Sequence, residues 1–264
     1  MGGLGLTQQN TMKTIYVEIK PDAYLVRRLS DNESAKVFKQ EEAGELENGY
    51  RTRTLQMGPN EGQKVAEQTF NSLSKVQLKE AKSEEKFGQH RMILIFNNMQ
   101  DNSPNIQIQC TLVSNSNSVN GFASNFIDKI PNIKIGTIMD FSTWKMTDKS
   151  TGKDRRGVTI VQNGNKVKSA YFDYVEMKSI GDKPRATKVT KLGKEVWDFT
   201  PVAEFQLEKF NEFSGALENY WNSGSNAVVE EAKEEVTDLP FKTTNFFLSV
   251  FANKVLFIVL LAFI

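Results

Sequence analysis

The stretch "SVNGFASNFIDKI", Ser118–Ile130, is a helix-like interruption in a run of strand-like segments. It spaces Val119, Phe122, Phe126, Ile127 and Ile130 at helical intervals, with Ser118 available as N-cap and Pro131 just beyond the end. The segments on either side alternate with period two, and turns rich in Asn, Ser, Asp and Gly separate them. Where the helix falls among the strands therefore decides the fold.

Before it come "KVFKQ" (Lys36–Gln40), "GYRTRTLQM" (Gly49–Met57), "LSKVQLKEA" (Leu73–Ala81), "HRMILIF" (His90–Phe96) and "NIQIQCTLV" (Asn105–Val113). After it come "IKIGTIMDFSTWKM" (Ile133–Met146), "GVTIVQ" (Gly157–Gln162) and "NGNKVKSAYF" (Asn163–Phe172), the last opened by an Asn-Gly turn signal. Three strands, a helix and two strands is the element order of an OB-fold, a five-stranded Greek-key barrel. An all-β sandwich with an incidental helix is the alternative. The chain is thus expected to be mainly β with minor α. The expected division is an extension over 1–35 (unpatterned except for "TIYVEI", Thr14–Ile19), an OB-fold-like domain over 36–202, an amphipathic helix over 203–222, an acidic tail over 223–241 and an apolar extension over 242–264. The helix reading rests on Phe205, Leu207, Phe210, Phe213, Leu217 and Tyr220, which recur mostly every three or four residues.

The 264 residues carry 33 Lys+Arg against 32 Asp+Glu, so the total charge names no partner. Its distribution is informative. Residues 134–198 hold 14 basic and 8 acidic side chains, whereas 204–238 hold 2 basic and 9 acidic. A basic body with an acidic appendage suits a polyanion binder, and two ordinary solvated surfaces are the bland reading. Cys110 is the single cysteine, which excludes an intrachain disulfide, fits a reducing compartment and reads as a packed residue. With His90 the single histidine, a His/Cys metal site or a Cys-His nucleophile pair lacks parts. No phosphate-cradling glycine loop, GxSxG, HExxH or CxxC occurs, so neither an enzyme nor a cofactor is expected, and a nuclease built on scattered carboxylates is the third reading. The first residues lack a secretory signal, and translation starting at Met12 is an alternative to Met1.

Basic residues interleaved with aromatics stand out instead. "DFSTWKMTDKSTGKDRRGV" carries Phe141, Trp144, Lys145, Lys149, Lys153, Arg155 and Arg156 around an expected hairpin loop. "NKVKSAYFDY" adds Lys166, Lys168, Tyr171, Phe172 and Tyr174. Unpaired bases expose flat faces on which rings stack without reading sequence, and Lys and Arg track the phosphates. Phe141 and Phe172 read first as core, and Trp144 fits either core or a stacking platform. The cations also suit a plain solvated hairpin face. Arg51, Arg53, Lys75 and Arg91, with Tyr50 and Lys79, are secondary candidates from strands that offer no comparable cluster.

The acidic tail closing in "TDLPF" (Thr237–Phe241) resembles the C-terminal tip of bacterial and phage single-stranded-DNA-binding proteins. "RRGVTIVQNGNKVKSAYF" followed at a distance by "GKEVWDFTP" is similar to the OB-fold members of that family from phages infecting Bacteroidetes, over roughly residues 36–241. The resemblance implies that Asp238, Leu239, Pro240 and Phe241 dock replication or recombination enzymes, with Glu230, Glu231, Glu234 and Glu235 as steering charge. In the family the terminal Phe bears a free carboxylate; here Lys242 follows Phe241. "VLFIVLLAFI" (Val255–Ile264) is ten apolar residues against the roughly 20 of a spanning helix, so 242–264 is expected to be foreign read-through, with a tail anchor as the alternative. The leading expectation is a non-catalytic, sequence-tolerant single-stranded-DNA-binding protein of replication, recombination or repair. It would act in the host cytoplasm, away from membranes, with homo-oligomerisation left open. The alternative is a tail-anchored or virion assembly protein with a β-barrel domain.

Overall fold

Most of the alternating segments form strands, but "NGNKVKSAYF" keeps only the two residues Asn165–Lys166 and the first residue of a later short strand, its middle being tied instead to the helix end at Asp128. The computed structural model describes residues 14–100 and 103–224. In chain order the elements are β1 (Thr14–Ile19), β2 (Leu25–Arg28), α1 (Asp31–Glu42), β3 (Tyr50–Thr54), β4 (Lys64–Phe70), β5 (Ser72–Lys86), β6 (Gln89–Asn98), β7 (Asn105–Val113) and α2 (Gly121–Ile127). Then follow β8 (Ile138–Thr147), β9 (Asp154–Gln162), β10 (Asn165–Lys166), β11 (Phe172–Asp173), β12 (Lys178–Ser179), β13 (Thr187–Lys191), β14 (Lys194–Asp198) and α3 (Thr200–Asn222). The protein is mainly β: one ten-stranded mixed sheet in the order β10-β9-β8-β5-β6-β7-β1-β2-β4-β3, plus two small ribbons, β11-β12 and β13-β14.

The expected closed barrel is not formed. Closure would need β7 to pair with β9, but the free edge of β7 is taken by β1 in parallel register, Thr14 opposite Asn105 through Glu18 opposite Gln109. The seam beside β9 is covered by α2, whose Asn125 Oδ1 accepts the Val158 N–H at 2.9 Å. Residues 14–28, read from sequence as part of an extension, supply two strands of the sheet. "KVFKQ" is helical, within α1, because Ser30 and Glu33 form a capping box and Ser34 and Val37 turn one face inward. Val37 packs there with Leu29 and Ala66 in a small second core.

The main core lies between the sheet and the last two helices. Leu78, Met92, Leu94, Phe96, Ile108 and Leu112 meet Phe122 and Phe126 of α2 and Phe210, Phe213 and Leu217 of α3. Cys110 belongs to it, and burial pushes its thiol up to about 12, which leaves it protonated and inert. Helix α3 also solves an edge problem. β8 pairs with β5 only between Ser72 and Gln77, so the strand beyond lacks a neighbour on that side. Trp221 Nε1 donates to the Leu78 carbonyl at 3.3 Å, Ser214 Oγ donates to the Ala81 carbonyl, and Ser83 Oγ donates to Asn211 at 2.9 Å. Among the described residues no helix is long and apolar enough to cross a membrane.

Strands β3 and β4 are fastened by a buried ion cluster. Glu67 is 2 % exposed and accepts Arg51 Nε at 2.9 Å and Arg53 Nε at 2.7 Å. Burial pushes its carboxyl up, but the Arg53 and Arg51 hydrogen bonds outweigh it and hold the group below the usual carboxylate range. A depressed carboxylate stabilises the fold above its unfolded value and loses that contribution as pH falls through the folded one. Glu67→Ala is expected to cost about 1–3 kcal/mol in urea unfolding at neutral pH, since it removes two charge-assisted hydrogen bonds while Arg53 stays solvent-accessible and Arg51 keeps Asp22. Repeating the titration in acid should show the gap to wild type narrowing.

Candidate nucleic-acid interface

The β8–β9 hairpin owes its shape to Asp148. Its carboxylate accepts Ser150 Oγ at 2.6 Å, Ser150 N–H at 2.9 Å, Thr151 N–H at 3.3 Å and Arg155 Nη2 at 2.7 Å. The Ser150 bonds lead in holding the group down to about 2. Gly152, at φ +66°, turns the chain back and donates to the Asp148 carbonyl at 2.8 Å. Lys145 pairs with Asp154 at 3.0 Å, and Arg156 reaches the same oxygen at 3.5 Å. Of the five hairpin cations, Lys145, Arg155 and Arg156 are therefore already partnered. Lys149 and Lys153 project from the turn with no side-chain partner among the described residues.

Trp144 and Phe141 separate cleanly. Phe141 is core, its ring 5.6 Å from that of Phe96. Trp144 is half-buried and stands opposite Gly157 on β9. A Cβ at 157 would sit 2.5 Å from Trp144 Cζ2 and 2.6 Å from Asn125 Oδ1, so the missing side chain is what lets the indole and α2 close on the strand. Asn125 Oδ1 also accepts Lys129 Nζ at 2.7 Å. Lys129 is only 7 % exposed; burial pushes its pKa down, with Asp128 opposing. One edge of the indole is thereby held from below while the ring stays partly open to solvent.

The second predicted segment is tied to the same helix end. Ala170 N–H donates to the Asp128 carbonyl at 2.7 Å, Lys183 Nζ donates to the Asp128 carboxylate at 2.5 and 2.7 Å, and Asn132 Nδ2 donates to the Lys168 carbonyl at 3.1 Å. Tyr174, 47 % exposed, packs edge-on against Phe172 with centroids 5.0 Å apart, and Lys168 Nζ lies 5.8 Å from its ring. Lys166 is exposed and unpartnered. Tyr171 is spent on packing: its ring meets Phe205 of α3 at 5.5 Å, and burial raises its hydroxyl. The structure thus gathers the hairpin and Lys166–Tyr174 around α2.

The secondary candidates fall elsewhere. Arg51 and Arg53 are the counter-ions of Glu67, on the last strands at the opposite end of the sheet order from β9 and β10. Lys75 occupies a bulge in β5 at φ +54°, its N–H donating to Asp140 at 2.9 Å and its side chain exposed. Arg91 stands on β6 opposite Glu84 and Thr111. Lys79 lies over the Trp221 ring at 5.3 Å, and Tyr50 packs on the small core. Asp238, Leu239, Pro240 and Phe241 lie outside the described residues. Sequence reasoning missed Gly157, Asn125 and Lys129. The glycine within a strand pattern was the available signal, as a mark of close approach.

No group of His, Cys, Asp and Glu fit to hold a metal ion occurs among the described residues. Comparison of the chain with family models, curated proteins and solved structures returns no match. Gly157→Ala is expected to cost about 1–3 kcal/mol by overpacking and to red-shift or blue-shift Trp144 emission as the ring is displaced; unchanged melting and unchanged emission would contradict the contact.

Proposed function

We propose that the chain is a non-catalytic protein that binds single-stranded DNA with little regard to sequence. The observation that carries this reading is the β8–β9 turn, where Lys149 and Lys153 are unpartnered, on the hairpin that holds the half-buried Trp144 against α2; Lys166 and the exposed Tyr174 lie on the segment fastened to the other end of that helix through Ala170. Rings of this kind stack on unpaired bases for about 1–3 kcal/mol each, while the lysines neutralise phosphates and release counter-ions. The pairing order β9-β8-β5-β6-β7, with α2 between β7 and β8, supports an OB-type body left open at its last seam. The protein would work in replication, recombination or repair of a phage, in the host cytoplasm, and would recruit partner enzymes through Asp238, Leu239, Pro240 and Phe241.

Fluorescence anisotropy of the full chain with oligo-dT, duplex DNA and RNA across a salt series tests this. Tight, salt-sensitive binding to oligo-dT is expected, and Lys149→Glu with Lys153→Glu should weaken it and flatten the log–log salt slope by about 1.4, from about 0.7 per lost phosphate contact. An absence of binding at low salt would sink the reading and favour an assembly role.

A further inference from the structure

The β13–β14 ribbon pairs only with itself, from Thr187 opposite Asp198 to Lys191 opposite Lys194. A lone two-stranded ribbon is marginal in water, and such a ribbon normally hides its apolar residues against something. This one displays them: Trp197 is 59 % exposed and Leu192 at the tip fully so. The turn is well made, with Leu192 and Gly193 both left-handed at φ 51° and 75°, a hairpin turn whose twist matches the strands. Lys188 stands directly opposite Trp197, its ammonium 5.8 Å from the ring and 2.9 Å from Glu195. The exposed ring therefore keeps an ordered cation beside it.

A second ring–cation couple lies on the other side of the loop that meets the foot of the ribbon. At the foot of the ribbon Asn117 Nδ2 donates to Thr200 Oγ1 at 2.9 Å, which anchors α3 to the loop after β7. In that loop Asn115 closes to 3.6 Å over Gly88 in the β5–β6 turn. The neighbouring Phe87 is 81 % exposed, with Lys86 Nζ 5.6 Å from its ring. An apolar protein surface seated on these rings would have to strip water from two ammonium groups. A polyanion with flat faces satisfies ring and cation together.

From this we infer that Phe87 and Trp197, with Lys86 and Lys188, form a second contact for single-stranded nucleic acid. The inference rests on the proposed function. This pole lies just past the end of β5, whereas the antiparallel pairing of Ser72 with Ser142 puts the β8–β9 turn beyond its start. The 15 residues of β5 span a contour of about 50 Å, so one bound strand follows its length between the two poles.

The test is the full chain carrying Phe87→Ala and Trp197→Ala, titrated with dT30 beside the Lys149→Glu, Lys153→Glu variant. Both rings are exposed, so the melting temperature should hold. The expected result is at least about thirtyfold weaker binding of dT30, from two lost stacks, and a shorter occluded site per protein. Wild-type affinity and site size in the ring variant, with the lysine variant still weakened, overturn this inference alone. Altered sedimentation without altered DNA affinity overturns it too, and assigns the ribbon to protein contact. Failure of the wild-type chain to bind dT30 removes the proposed function itself.

Discussion

The fold depends on how the sheet edges left by an unclosed barrel are satisfied. A strand edge presents N–H and C=O groups that cost free energy when buried without partners. Here β7 is satisfied by β1, the Val158 amide of β9 by Asn125, and the carbonyls of β5 at Leu78 and Ala81 by Trp221 and Ser214. Two devices thus replace the missing β7–β9 pair, and a third covers the part of β5 that β8 leaves unpaired. Each brings its own element into the core, which is why α2 and α3 pack where they do.

Helix α2 consequently has two duties. It covers the seam, and it is the bench on which the candidate surface is assembled. Asn125 reaches β9 and Lys129, Gly157 makes room for the Trp144 ring, and Asp128 collects the chain at Ala170 and Lys183. A short helix can organise so much because its side chains meet a strand lacking a side chain at the point of contact. The distribution of ion pairs then decides which cations remain available. Asp148 and Asp154 shape the hairpin and occupy Arg155, Lys145 and Arg156 in doing so, leaving the turn lysines outermost. Surface pairs of this kind are weak and exchangeable, so a phosphate can compete for the same guanidinium groups.

Much of this was legible in the sequence. "NIQIQCTLV" is β7 to the residue, because strict alternation with one face buried admits a single register. The amphipathic helix expected over 203–222 is α3, which starts three residues earlier and ends at the same residue. The helix that opened the reading is shorter than expected and capped by Asn120, whose Oδ1 accepts the Phe122 N–H, because the bridge between Val113 and Val119 holds the residues before it extended. "KVFKQ" misled because five residues cannot distinguish period two from a helix whose cap lies upstream. Arg51 and Arg53 misled for another reason: their partner, Glu67, is distant in the chain and carries no local mark.

By itself the sequence determined the strands around the short helix (β3, β5 to β9), the long final helix and the division into basic body and acidic tail, but not β2, β4 or the β13–β14 ribbon. These follow from short-range periodicity and local charge, which need no knowledge of neighbours in space. Only the tertiary structure decided that the barrel stays open, that two of the arginines serve a buried carboxylate, and that Gly157 makes room for Trp144 and α2. Edge pairing, burial and ion pairing join residues far apart in the chain, and periodicity carries no information about such partners.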